Sequence, residues 1–243
     1  THLAAYADYK MGANLAPGGG WFEYGGAYHM HGFARLSNGV VGLAAAEAPG
    51  RERLLDGIAL DWSYYLNLLT PFDTRWGARM VPGLANSMPS FSGHFMEASG
   101  ALSETMPELA AHLRWAWLAN GSGNHDINPA LERPWIEPKE PALASQIYPG
   151  VGVIFRAHQG PRETFMFLRA GYNWSHWTED QGHFMLMSDG AVLMPFQSYQ
   201  YGRSSSPEFD VCNLLRFGHP ANRYPHSWPD SNVLAHAFGP TAD

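Results

Sequence analysis

The sequence predicts an α+β fold in which helices come first and an antiparallel sheet follows. Three observations predict it: apolar residues recur at helical spacing through the first half, the hydrophobic period drops to two from Tyr148 onward, and Asp189-Gly190 stands between two alternating runs where a tight hairpin turn belongs. Helices and strands segregated in this way pack as separate layers, and a cleft between two layers is a usual ligand site.

In the first half, Tyr28 to Ala46 and Glu52 to Leu69 carry the helical spacing, the second run more clearly. Pro107 to Ala119 reads as a further helix, with proline in its first turn and Gly121 just past its end. Helix pairs of similar size suit a toroid of hairpins. The segment FDTRWGARMVPGLANSMPS is too long and too rich in Gly and Pro for a simple connection, and ordered loops on a helical scaffold are where sites tend to sit. Residues 120 to 146, with Pro129, Pro134, Pro138 and Pro141, read as a linker or a wrapped surface segment. GVGVIFRAH, ETFMFLRAGY, GHFMLMSDGAVLMPF and NLLRFG then read as strands. The expected boundaries are a helical domain over 1–125, a linker over 126–146 and a β domain over 147–243.

With 243 residues, 45% of them hydrophobic, the chain can bury a sizeable core. It has no apolar run of the roughly 18 residues a membrane helix needs, and residues 1–20 do not read as a signal peptide. Its lone cysteine, Cys212, rules out an internal disulfide and leaves the compartment open. A net charge of -7 and only two lysines, Lys10 and Lys139, argue against a nucleic-acid partner, which needs a basic stripe. Nine Trp, eleven Tyr and thirteen Phe are more flat faces than a core of this size needs, and aromatic faces beside polar groups suit sugar rings.

Two stretches concentrate chemistry. NWSHWTEDQGHF, residues 173 to 184, places His176 four residues before Asp180, so that in a loop the carboxylate can fix the imidazole tautomer. A loop histidine with a surface partner is the plainer alternative. His183 alternates with Phe184 and faces the other side of the sheet, a structural position. In PGGGWFEYGGAYHMHGFARL, residues 17 to 36, Gly18 to Gly20 permit a close backbone approach, Glu23 precedes Tyr28 by five, and His29 and His31 follow. Tyr28 is either a proton donor or acceptor at a domain edge, or a buried tyrosine with a satisfied hydroxyl. As metal ligands, His29, His31, His176, His183, Asp180 and Cys212 lack any zinc-type spacing, and no Gly-x-Ser-x-Gly marks a nucleophile. Arg75, Arg79 and Asn86 offer guanidinium forks and an amide for a substrate carboxylate; alternatively an arginine packs on Trp76 and pairs with Asp73.

Taken together and in this order, the two stretches resemble the heparinase II/III superfamily of polysaccharide lyases, which act on alginate, heparin and related polymers. GGGWFEYGGAYH is similar to the family's glycine-rich segment and carries its catalytic tyrosine onto Tyr28; SHWTEDQGHFMLMSDG is similar to its pattern at the start of the β domain and carries a catalytic histidine onto His176. The resemblance implies part of an (α/α) toroid followed by a sandwich-like antiparallel β domain, a secreted or periplasmic location, and a substrate-facing set that takes in Glu23, His29, Trp174 and Asp180 with Arg75, Arg79 and Asn86. The family places a carboxylate-neutralising Asn or His well upstream of the tyrosine, its toroid is longer, and its sheet continues beyond HAFGPTAD; the chain therefore reads as the middle of a longer protein. Where zinc-binding members place their ligands, this sequence has Thr178, about Pro195, and Cys212, so the spacing supports neither a structural zinc nor a calcium site, and no cofactor is implied.

Such lyases cleave uronate polymers by β-elimination, removing the C5 proton and breaking the C4–O4 bond. A proton beside an ionised carboxylate is scarcely acidic, so donors or cations must first be placed on that carboxylate. The resemblance implies Tyr28 as acid and His176 as base or as the partner facing the carboxylate; a phenol near about 10 donates readily at neutral pH and an imidazole near about 6.5 is available as a base, which favours the division with His176 as base. For a substrate of opposite C5 configuration Tyr28 can take both roles. A non-catalytic binder of acidic polysaccharide that keeps the fold is the competing class.

Overall fold

A computed structural model describes residues 2–21, 29, 32–33, 35–84, 94–121, 132–171 and 182–195. Among these residues, five helices precede a five-stranded antiparallel sheet. The order is the one expected: α1 (His2–Asn14), α2 (Arg35–Ala45), α3 (Arg51–Leu68), α4 (His94–Leu102) and α5 (Pro107–Ala119), then β1 (Gln146–Tyr148), β2 (Gly152–Ala157), β3 (Thr164–Arg169), β4 (Phe184–Ser188) and β5 (Ala191–Met194). The NLLRFG segment lies outside the described residues.

α3 is the axis of the helical layer, and α1, α2 and α5 all pack on it. Its first half is amphipathic, burying Leu54 and Ile58; from Asp61 onward nearly every residue is enclosed, including Trp62, Tyr64, Tyr65 and Leu68. Gly50, at a left-handed φ of 79°, turns the chain into it. α4 and α5 form a hairpin in which the Ser99 hydroxyl donates to the Ala110 carbonyl at 2.7 Å, and Pro107 sits in the first turn of α5, where its missing N–H costs nothing. The sequence reading did not anticipate α1 or α4. α1 buries Ala4, Ala7 and Met11, and with two alanines among the three the apolar stripe is faint.

The strands run in sequence order as a meander, with Val153 opposite Leu168 and Phe165 opposite Met187. Asp189 and Gly190 both take positive φ, 50° and 73°, as a two-residue hairpin turn requires. A bulge at Leu186/Met187 then shifts the register of β5. One sheet face, with Ile154, Phe165, Phe167, Met185 and Met187, joins Trp62, Tyr64, Leu68 and Leu69 in a continuous core. The other face is apolar as well, carrying Phe155, Met166, Leu168, Phe184 and Leu186, of which Phe155 is exposed and the other four are half-buried. Within residues 132–145, Lys139 meets α5, its N–H donating to the Ala111 carbonyl at 3.1 Å and its ammonium lying 2.5 Å from Glu108, and Ala144 meets Asn67 at the end of α3.

Candidate active site

The glycine triplet lies between α3 and the β1–β2 turn. The Gly18 N–H donates to the Pro149 carbonyl at 2.8 Å, and a side chain there would overlap the Tyr148 and Pro149 backbone. Gly19, at φ 96°, faces the Leu60 carbonyl, and Gly20 lies against Val151. A bridge between Leu15 and Trp21 closes the loop and delivers the chain to Trp21, whose buried ring tilts onto Phe33 at 5.6 Å. Trp21 thus stands at the junction of helices and sheet.

His29 is wholly buried. Its Nε2 lies 2.5 Å from Asp61 Oδ2. The imidazole stacks on Tyr65 at 3.4 Å and on Phe33 at 5.2 Å, and it meets Trp62 edge-on at 5.4 Å. Burial pushes the His29 pKa well down, with a smaller push from His94. Burial likewise drives the Asp61 carboxyl well up, against a backbone N–H of Trp21 that favours the carboxylate. Burial thus disfavours the charged form of each group, and the two are joined by one short hydrogen bond. Desolvation also raises the Tyr65 hydroxyl, which stays protonated.

Loop 69–84 leaves α3 and folds back through a Thr70–Met80 pairing, in which the Thr70 N–H donates to the Met80 carbonyl at 2.9 Å. Arg75, largely exposed, forks onto the buried Asp73 carboxylate at 3.0 and 2.6 Å, which holds that carboxyl below its usual range. Arg79 is buried; it donates to the Thr70 carbonyl at 3.0 Å and lies 2.8 Å from Glu163. Arg156, next to last in β2, meets the other Glu163 oxygen, donates to the Asn67 and Leu69 carbonyls at the end of α3, and reaches Asn67 Oδ1 at 3.2 Å. Burial lowers its pKa to about 10, so it remains a cation at neutral pH. Two guanidinium groups on one enclosed carboxylate tie the loop, α3 and the sheet together.

Several solved structures share the fold. A heparinase III aligns with a TM-score of 0.57 at 19% identity, covering 80% of this chain and 28% of its own. The heparan sulfate lyase HepC from Pedobacter heparinus gives 0.59 at 14% identity, covering 80% and 28%. The fold is heparinase-like. A further heparinase III structure gives 0.51 at 14% identity over 85% of this chain and 33% of that one. The heparinase-like chain thus spans about a third or less of the lengths of these neighbours. No protein-family profile and no curated protein matches the sequence.

Of the residues singled out in the sequence, Glu23, Tyr28, Asn86, Trp174, His176 and Asp180 lie outside the described residues, as do His31, Thr178 and Cys212. His29, Arg75 and Arg79 are described, and each is held by a protein carboxylate: Asp61, Asp73 and Glu163 in turn. His183 is buried at the entry to β4, its carbonyl accepting the Arg169 N–H at 2.8 Å. Among the described residues, no three His, Cys, Asp or Glu side chains gather where they could hold a metal ion. Sequence reasoning missed Asp61, Arg156 and Glu163 in this heparinase-like frame. The available signal was the lone acid in ALDWSYYL and the lone base in GVIFRA, charged residues set in apolar runs that bury them.

Proposed function

We propose that the chain is part of a polysaccharide lyase that cleaves a uronic-acid-containing polymer of alginate or glycosaminoglycan type by β-elimination. The observation that carries this is the heparinase-like succession of helical layer and antiparallel sheet; the order of the two dense motifs in the sequence, which resembles that of such lyases, supports it. In this reading Tyr28 donates a proton to O4 as the C4–O4 bond breaks, and His176 accepts the C5 proton. Glu23, Trp174, Asp180 and Asn86 belong to the same proposal as substrate-facing residues, as does residence outside the cytoplasm.

Arg75 and Arg79 bear on how the substrate carboxylate is neutralised. Both guanidinium groups are engaged by protein carboxylates, and Arg79 is enclosed, which leaves Arg75 as the better placed of the two for a glycan. The same engagement favours the competing reading, a binder of acidic polysaccharide without turnover. Product analysis on heparan sulfate and alginate separates them: the lyase forms an unsaturated uronate that absorbs in the ultraviolet, and the binder retains affinity without that product. Tyr28→Phe and His176→Ala are each expected to abolish the rise. Undiminished product formation by either variant would overturn its assigned role.

A further inference from the structure

Loop 69–84 carries a surface that its buried Arg79–Glu163 anchor does not explain. Phe72 and Trp76 are 47% and 59% exposed, and the Arg75 side chain 60%. The turn that presents them is nonetheless tightly bonded: the Asp73 N–H donates to the Ala78 carbonyl at 2.9 Å, and the Trp76 and Gly77 N–H groups donate to the Asp73 carbonyl at 3.1 and 2.8 Å. Thr74 docks the turn onto the β4–β5 hairpin, its N–H and hydroxyl both donating to the Gly190 carbonyl at 3.1 Å, and a side chain at Gly190 would overlap Thr74 Cγ2. Rings held so far into water add little to folding, but on a rigid turn they cost little to order when a ligand arrives. Arg75 is presented in the same way. Its Nε and Nη2 fork onto Asp73, which fixes the guanidinium plane and leaves the Nη1–Nη2 edge outside the fork, with N–H groups spaced for a second planar acceptor. The surface lies at the end of the sheet that holds the β2–β3 and β4–β5 turns, where the exposed Arg162 stands 3.3 Å from Asp189. The glycine triplet meets the β1–β2 turn at the opposite end, on the order of 20 Å away along six-residue strands.

We infer that residues 72–76 form a binding surface for an acidic glycan, with Trp76 as the platform on which a sugar ring stacks and Arg75 as the fork that takes a uronate carboxylate. An indole face matches the apolar C–H side of a sugar ring, and the outer guanidinium edge matches a carboxylate in shape and charge. Such a carboxylate would be the second on one guanidinium, the reverse of Glu163, whose single carboxylate serves two. Asp73 already balances Arg75, and Asp189 balances Arg162, so the surface carries little net positive charge. Stacking and bidentate geometry therefore set the affinity, which is only weakly sensitive to salt. The class of ligand rests on the acidic-polysaccharide reading shared by lyase and binder; the surface makes no demand on turnover.

The test is calorimetric titration of the full chain, carrying His176→Ala so that turnover does not consume the probe, with an alginate hexasaccharide and a heparan sulfate hexasaccharide. At least one of the two is expected to bind. For that probe Trp76→Ala should weaken Kd by roughly five- to tenfold, and Trp76→Phe, which keeps a flat ring, should stay within about twofold of the parent. Arg75→Lys, which keeps a cation beside Asp73 but has no second edge, should weaken Kd by about three- to tenfold. Raising salt from about 0.05 to about 0.3 M should change the parent's affinity by less than about threefold. Hydroxyl-radical labelling of Trp76, which needs no substitution and so covers a variant that does not fold, should fall by about threefold or more at saturation. Parental affinity in folded Trp76→Ala, or undiminished labelling, would overturn the platform, and parental affinity in Arg75→Lys would overturn the fork. Equal affinity for the neutral cellohexaose would overturn the acidic class, and binding of neither acidic probe would overturn the surface. If the parent forms no unsaturated product while these losses of affinity stand, the lyase assignment falls and the surface remains.

Discussion

Glu163 Oε2 lies 2.8 Å from Arg79 Nη2, which joins the residue just before β3 to the loop that leaves α3. Arg156 closes on the other oxygen from β2. The carboxylate is fully enclosed and serves two cations at once, so removing it differs from removing either arginine. Glu163→Gln is expected to cost roughly 3–5 kcal/mol, since two buried guanidinium groups lose their counter-charge, whereas Arg79→Met, which leaves the Arg156 pair intact, should cost about half as much. Urea unfolding measures both. Equal costs would mean that the three groups do not act as a unit.

Asn67 should prove as sensitive for a neutral group. Its amide donates to the Ala144 carbonyl at 2.8 Å and the Tyr148 hydroxyl at 2.7 Å, and its oxygen accepts from Ala144 N–H at 3.1 Å and Arg156 Nε at 3.2 Å. Asn67→Ala leaves several of these partners buried and unpaired, for an expected loss of roughly 2–4 kcal/mol. The same burial raises the Tyr148 hydroxyl to about 12, so a parent-like ultraviolet titration of that phenol below pH 11 or so would contradict its enclosure.

His183 supplies a pH window. Burial lowers its pKa to about 4, so between there and the unfolded value near 6.5 the unfolded chain binds more protons than the native one. Its contribution is complete above that unfolded value and is lost as pH falls toward about 4, a difference of roughly 3 kcal/mol for a side chain with no exposure. The stability difference between parent and His183→Leu, followed from pH 7 down to 4, should shrink or reverse by about that amount. A pH-independent difference would show that the imidazole is solvated.

Gly18 and Gly50 separate close contact from backbone conformation. Alanine at 18 meets the Tyr148–Pro149 backbone and should lower stability by roughly 1–3 kcal/mol through displacement of the β1–β2 turn. Alanine at 50 finds open space and incurs only the left-handed φ, about 1 kcal/mol. Thermal melts of the two variants should rank accordingly.

The sequence made the punctuated elements legible. Pro107 and Gly121 bracket α5, Asp189-Gly190 marks the β4–β5 turn, and alternation in ETFMFLRAG gives a strand whose buried positions are Phe165, Phe167 and Arg169. α1 escaped because alanines form its buried face, and β1 because three residues carry too little periodicity. At the candidate site, the glycine triplet was legible as a place of close approach, since only a missing Cβ fits against Tyr148. The partners of the charged residues were not. Arg156 finds Leu69, and His29 finds Asp61, across separations that no local pattern encodes.

The meander has a kinetic consequence. Every described strand pairs with its neighbour in sequence, so this sheet can assemble through local loop closures, and α4 and α5 can do the same. Docking the sheet on α3 is different, because Arg156 must shed its water before Glu163 and the Asn67 and Leu69 carbonyls can replace it. The slow step of folding should therefore be the late desolvation of one guanidinium at the seam, and substitutions inside the hairpins should slow folding more than they speed unfolding.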